Sequence, residues 1–234
     1  LDDNGALSFF AAVASRTGAR AVLLGHTADD QVETVLHHVL RGTGVMGLRG
    51  MSETHEMAGG ELLVRPLLDV ERSEVQAWLQ EHEWNYREDE TNHRREFTRN
   101  RIRHELLPLL VRDYNPRVAE ALSRLARQAG EAQSVIGELV DDVLARCILE
   151  VTPMLVRLDA AQLSRQPPYL VCECLKQLWT RQGWPRGSMT CSGWQRGASV
   201  SIAGGAVDLG AGVSLRRRGD VVVVSRQLSV AAGD

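Results

Sequence analysis

Apolar positions change their period several times along the chain, and each change predicts an element. Residues 19–25 (ARAVLLG) are a short apolar, β-branched run that predicts a buried strand. Directly after it, Val32, Val35, Leu36, Val39 and Leu40 recur at helical spacing. Asp29 and Asp30 stand at the start of that segment and Arg41-Gly42 at its end, where an acidic first turn, a cationic last turn and a terminal glycine belong. Residues 5–17 predict a preceding helix that stops at Gly18. Helix, strand, helix is the grammar of a parallel α/β sheet. The Gly-rich residues 42–50 predict a loop, 61–68 (ELLVRPLL) a second strand, and 70–82 an amphipathic helix with Asp69 as its N-cap.

Sheet signals then stop. Residues 101–111 predict a helix, and Asn115-Pro116 opens a much longer one, striped by Val118, Leu122, Leu125, Ala129, Ile136, Leu139, Val143 and Ile148, with Gly130 and Gly137 as places to bend. A second helical segment starts at Asp159, is broken at Pro167-Pro168 and stops at Gly183. Beyond Trp184 the composition turns to Gly, Ser and Val, which predicts short strands at 198–203, 206–209, 213–217 and 220–225, with Arg218-Gly219-Asp220 as a hairpin turn. Three regions follow: 1–112 of α/β pattern, 113–187 mostly helical, and 188–234 as a small β module.

Composition narrows the class. With 234 residues, 44% hydrophobic and 24% charged, the chain has a globular make-up and enough length to bury a core. No apolar run approaches the ~20 residues of a membrane span, and the opening Leu1-Asp2-Asp3-Asn4 is acidic where a secretion signal is basic. Cys147, Cys172, Cys174 and Cys191 are too sparse for a disulfide framework and make no C-x-x-C pair, which predicts a reducing, cytoplasmic setting. The net charge of −3 argues against binding nucleic acid through an overall positive field, yet charge is segregated. Residues 81–90 carry five acids and one Arg, whereas 93–104 carry five Arg and one Glu.

Three groups of residues could carry chemistry. In the run Gly25-His26-Thr27-Ala28-Asp29-Asp30-Gln31-Val32-Glu33-Thr34, His26 and two carboxylates fall where a strand ends and a helix begins, which is where open α/β sheets bind ligands. The helix start offers amide donors to an anion, and Asp29 and Asp30 could hold Mg²⁺ or accept a proton from an attacking amine; a plain helix cap is the simpler use of either. Arg99 and Arg103 are four apart and share a helix face, as a phosphate clamp or a solvated surface. Arg41-Gly42-Thr43-Gly44 is a loop that lets backbone approach a ligand, or a simple C-cap. His37 and His38, like Cys172 and Cys174, diverge on a helix, so neither zinc nor an iron–sulfur cluster is expected. Trp78, Trp84 and Trp179 have helical apolar neighbours and are expected to be packing residues.

Taken together, GHTADDQVETVLHHVLRGTGVMGL, then RPLL (Arg65 onward), EDETN (Glu88 onward) and TRNRIRHELLPLL resemble the tRNA(Ile)-lysidine synthetases of the PP-loop ATPase superfamily. The first block is shared by several PP-loop tRNA-modifying enzymes, and the RN-x-I-R block is the more particular. Residues 113–187 are similar to the helical region that follows in this family, and AVDLGAGVSLRRRGDVVVVSR to its strand module, with Gly210-Ala211 where Pro-Gly is usual.

The resemblance implies an α/β fold: the C-terminal half of a parallel-sheet PP-loop (adenine nucleotide alpha hydrolase-like) domain, then a mostly helical region with a small C-terminal β module. It implies a ligase that uses ATP and Mg²⁺ to adenylate C2 of the wobble cytidine (position 34) of the CAU-anticodon isoleucine tRNA, which L-lysine then attacks to give lysidine, AMP and pyrophosphate. Asp30, with Asp29 and His26, would be catalytic. Arg99, Asn100, Arg103, Arg41 and Gly42 would contact nucleotide or tRNA phosphate, and Glu33 and Thr34 would support the site. Homodimer formation stays open.

The family's S-G-G-x-D-S phosphate loop occurs nowhere in the chain, and Leu1 is not Met. The expectation is therefore that roughly the first 100 residues of a family member lie outside it, about half of the nucleotide-binding sheet, and that this polypeptide alone binds ATP poorly. The rival readings are another PP-loop tRNA enzyme such as a thiolase, whose C-x-x-C pairs are absent, and a non-catalytic tRNA-binding remnant.

Overall fold

The computed structural model describes residues 3–57, 59–86, 98–185 and 189–227. The EDETN motif from Glu88 and the neighbouring residues 93–97 lie outside them. The chain divides into two units, Leu1–Gln133 and Ser134–Asp234.

In the first unit, helix α1 (Asp3–Thr17) leads through Gly18, at φ +69°, into strand β1 (Ala21–Leu23). Helix α2 (Ala28–Arg41) follows, its start set by a capping box in which Thr27 and Asp30 satisfy each other's backbone N–H groups. Val32, Val35 and Leu36 are buried as the periodicity predicts, but Val39 and Leu40 are exposed. Gly42, at φ +77°, closes the helix by donating its N–H to Val39. The expected loop 42–50 contains a four-residue helix, α3 (Val45–Leu48).

Strand β2 (Thr54–Glu56), which no clear alternation announces, pairs antiparallel with β3 (Leu62–Val64), and β3 pairs parallel with β1. The sheet order is β1-β3-β2, with Ala21 opposite Leu62 and Leu23 opposite Val64. Helix α4 (Arg72–Glu81) begins later than expected and is capped by Glu71 in a box with Glu74, not by Asp69. The reason is local: Val70 donates its N–H to Leu67 in a turn and gives its carbonyl to Ala28, so the backbone becomes helical only at Arg72.

A continuous helical stretch then comprises α5 (Thr98–Arg101), a π-helical segment (Ile102–Leu106) and α6 (Leu107–Asp113), with Ile102 buried. Helix α7 (Val118–Cys147) runs through both Gly130 and Gly137 without interruption, and the boundary between the units falls within it. Its buried positions are Ala126, Ala129, Val140, Val143, Leu144 and Cys147, whereas Leu125 and Leu139 are exposed. Size misled the sequence reading, because small Ala126 takes the inward position beside the larger Leu125.

The second unit is a five-stranded antiparallel sheet, β4-β5-β8-β7-β6, with helices on one face. Strands β4 (Ile148–Thr152) and β5 (Leu155–Asp159) lie inside the region expected to be helical, where Pro153-Met154 turns the chain back. Asp159 caps the short helix α8 (Ala160–Ser164), and the proline pair breaks it from α9 (Pro168–Arg181), whose first residue is Pro168. Residues 198–203, expected as a strand, are the second half of helix α10 (Cys191–Ala203). Its Gly193, Gly197, Ala198 and Ser201 make a small-residue face that lets it pack closely on α9; a Cβ on Gly197 would stand 3.1 Å from Leu175 Cδ1.

Strands β6 (Gly205–Gly210), β7 (Val213–Arg218) and β8 (Val221–Arg226) complete the sheet. The core joins Val156, Leu158, Val213, Leu215, Val222 and Val224 of the sheet to α7 and α9. Trp179 is buried at its centre, with Trp184 and Trp194 edge-on at 5.4 and 5.3 Å.

Candidate active site

The candidate residues meet where the parallel strands β1 and β3 end. Beyond β1 the chain presents His26, Thr27 and the first turn of α2; beyond β3 it presents Arg65 and, seven residues on, the start of α4. The two helix starts are joined directly, because Ala28 donates its N–H to the Val70 carbonyl at 2.9 Å.

Asp30 is buried among donors. Its Oδ2 accepts from the Thr27 N–H at 2.9 Å and the Thr27 hydroxyl at 3.0 Å. Its Oδ1 accepts from three guanidinium groups, Arg103 at 3.0 Å, Arg72 at 3.1 Å and Arg99 at 3.3 Å. Burial pushes the Asp30 carboxyl upward, but the Thr27 bonds and the Arg99 and Arg72 charges outweigh it and hold the group below its ordinary value. Glu33, one turn on and fully buried, accepts from Arg99 Nε at 3.1 Å and from Arg103 Nε and Nη2 at 2.5 and 2.9 Å. For Arg103, burial works against the charge, and the bonds to Glu33 more than restore it, so the group stays above its usual value.

The two sequence blocks that could carry chemistry are therefore one cluster. Arg99 and Arg103 do share a face, and that face is turned onto α2 and its two carboxylates. Three arginines oppose Asp30 and Glu33, and the Arg72 and Arg99 side chains stay 33% and 40% exposed, so their unused N–H groups can reach an anion from solvent.

Asp29 is exposed and has a different partner: its Oδ2 accepts the backbone N–H of Arg72 at 2.8 Å. His26 Nδ1 accepts from Arg65 Nε at 3.2 Å, which puts the imidazole proton on Nε2, while Arg65 Nη1 donates to the Ser52 carbonyl. Thr34 returns its hydroxyl to the Asp30 carbonyl at 2.8 Å and so supports the helix, not the cluster. Asn100 lies half-buried on α5, and Arg41 is exposed at the end of α2 beside Gly42.

Mg²⁺ fits this donor set poorly. The carboxylate oxygens of Asp30 are already filled by hydroxyl, amide and guanidinium donors, and among the described residues no three His, Cys, Asp or Glu side chains gather as metal ligands.

Two residues escaped the sequence reading. Arg72 bonds both aspartates, and only the fold could bring it there. Gln31 donates to the carbonyls of Arg49 and Met51 and accepts the Met51 N–H, pinning the segment after α3. The tryptophans also depart from expectation: Trp179 is buried, but Trp78 and Trp84 are 48% and 62% exposed and pack on each other, with Trp78 stacked on His82.

Comparison with known proteins places these features in context. Residues 7–110 match the PP-loop domain family. A tRNA(Ile)-lysidine synthase of Rhodopirellula baltica is 35% identical over 210 residues, covering 80% of this chain and 51% of that relative. Those of Pseudomonas fluorescens and Geobacter sulfurreducens are each 42% identical, covering 60% and 61% of this chain and 31% and 29% of theirs. The chain thus spans about half or less of the length of the relatives it matches. No described helix is long and apolar enough to cross a membrane.

Proposed function

We propose, from the match of residues 7–110 to the PP-loop domain family and the similarity to tRNA(Ile)-lysidine synthases, that the protein is a tRNA-modifying ligase. It uses ATP to activate C2 of the wobble cytidine in the CAU-anticodon isoleucine tRNA and joins L-lysine there, releasing AMP and pyrophosphate. The observation that carries this reading is the ion-pair cluster itself. Blocks of sequence about 70 residues apart dock through Glu33 and Arg103 at the carboxyl ends of parallel strands, the usual ligand position of an open α/β sheet.

Within that reading, the aspartates and arginines divide the work. Asp30, with its oxygens occupied, anchors Arg72, Arg99 and Arg103 so that their outward N–H groups face the phosphates of nucleotide or tRNA. Asp29, at the rim with one carboxylate oxygen outside its bond to Arg72, is the group placed to take a proton from the attacking amine, and His26, whose Nδ1 lone pair is filled by Arg65, stands beside it as an Nε2–H donor. Asn100 follows Arg99 on α5, whereas Arg41 and Gly42, at the other end of α2 about 16 Å from Asp30, would meet tRNA away from the cluster. Mg²⁺ would arrive on the nucleotide phosphates.

The test is incorporation of labelled lysine into the isoleucine tRNA, with and without ATP, using this chain and a longer form that includes an S-G-G-x-D-S phosphate loop. ATP-dependent incorporation by the longer form alone supports the reading and the need for a phosphate cradle. No incorporation by either form, with tRNA still bound, favours a non-catalytic binding role, and thiolation in place of lysine transfer favours a thiolase.

A further inference from the structure

We propose that Arg72 is a positioning residue of this site: it sets the orientation of both aspartates at the start of α2, using its backbone for one and its side chain for the other. The inference rests on the reading that Asp29 serves the reaction, and it adds a residue that neither the motifs nor the comparisons assign.

Consecutive helical side chains point about 100° apart, so Asp29 and Asp30 cannot share an ordinary side-chain partner. Arg72 reaches both because it is the first residue of α4 and α4 starts beside α2. Its N–H is one of the orphan donors of a helix start and is aimed at Asp29 Oδ2, 2.8 Å away. Its guanidinium turns the other way, onto Asp30 Oδ1 at 3.1 Å. The bond from Ala28 to Val70 fixes the two helix starts against each other, so both contacts follow from one backbone arrangement.

The two aspartates depend on Arg72 unequally. Asp30 keeps Thr27, Arg99 and Arg103 if the Arg72 side chain is lost. Asp29 is exposed, and the Arg72 N–H is the bond that orients it. The decisive contact is therefore a main-chain one, which an alanine substitution leaves intact.

Proline deletes it. Arg72 occupies the first helical position, where proline is favoured, and Glu71 before it has φ −69° and ψ 146°, the extended conformation a following proline requires. Arg72→Ala removes the guanidinium alone, and Arg72→Pro removes the guanidinium and the N–H with little strain on the helix.

The experiment compares wild type, Arg72→Ala, Arg72→Lys and Arg72→Pro in the full-length protein by lysine-transfer kinetics and by the ¹³C carboxyl resonance of Asp29. Arg72→Ala and Arg72→Lys are expected to lower kcat only about two- to fivefold, and Arg72→Pro by a further factor of about 10 to 100 with the same KM for ATP as Arg72→Ala, the size of a misplaced reacting group. Only Arg72→Pro should move the Asp29 resonance. Equal kcat in Arg72→Ala and Arg72→Pro, or an unmoved Asp29 resonance in Arg72→Pro, overturns the proposal. If wild type transfers no lysine while that resonance still moves, the positioning stands and the functional reading falls.

Discussion

Glu33 offers the sharpest test of how the site is held, because its carboxylate is 1% exposed and answers two arginines at once. Glu33→Ala removes three charge-assisted bonds, from Arg99 Nε at 3.1 Å and from Arg103 Nε and Nη2 at 2.5 and 2.9 Å. Each such bond is worth roughly 1.5–3 kcal/mol, but the three do not simply add. Breaking a fully buried pair costs about 3–5 kcal/mol, and an exposed pair about 0–1. The arginines lie between these limits: the Arg99 side chain is 40% and the Arg103 side chain 20% exposed, so both recover hydration, and both retain Asp30. The expected cost is about 2–4 kcal/mol, a fall in melting midpoint of at least ~4 °C for a chain of this size.

Reversible urea unfolding of wild type, Glu33→Gln, Arg103→Met and the double variant measures the pair directly. A coupling energy of about 1–3 kcal/mol is expected, since Gln keeps the shape and loses the charge. A coupling under about 0.5 kcal/mol would refute the reasoning and make the cluster a screened surface pairing.

Other expectations follow from single features. Asp30 is held below its ordinary value, so its stabilising contribution is complete above the unfolded carboxylate value of about 3.9 and fades as pH falls through the folded one; the stability gap between wild type and Asp30→Asn should narrow below about pH 4, and a constant gap would contradict the assignment. Ala211 sits at φ +53° and Gly212 at φ +74° in the two-residue turn joining β6 to β7, so Ala211→Gly should stabilise by about 1 kcal/mol in thermal melts, whereas Gly212→Ala should destabilise because its Cβ would stand 2.4 Å from the Gln227 carbonyl oxygen. Burial pushes the Cys174 thiol up to about 12, and Cys147 and Cys172 also upward, so a thiol reagent at pH 8 should label exposed Cys191 quickly and the other three only on unfolding; rapid labelling of Cys174 would place it outside the core.

Much of the site was legible before any fold was known. The acidic first turn of α2 follows from Asp29 and Asp30, although the cap itself is Thr27 with Asp30 at the third helical position, and its buried face follows from Val32, Val35 and Leu36, because a helix start and a helix face are local properties. The common face of Arg99 and Arg103 is equally local. What that face meets is not. Its spacing suits a phosphate clamp or a solvated surface, and the choice of Asp30 and Glu33 as partners depends on α5 and the π-helical segment docking on α2.

The same division holds elsewhere. Strands β4 and β5 were hidden because Ile148 continues a helical stripe, and their pairing with each other and with β8 outweighs that local pattern. Residues 198–203 carry strand-like small and β-branched residues, yet the close packing of Gly197 on Leu175 makes a helix the better use of them. Trp78 and Trp84 have the neighbours of core residues and lie exposed, since burial depends on what packs from outside the helix.

By itself, the sequence determined the acidic start and apolar face of α2, the family-bearing motifs and the carboxylate and arginine pairs, all set by spacing within a few residues. Only the tertiary structure decided that Arg72 belongs with Asp29 and Asp30, and that Asp30 is a saturated anchor while Asp29 is not. Hydrogen bonds between residues 42 or more positions apart form only after β1 and β3 have set two helix starts side by side.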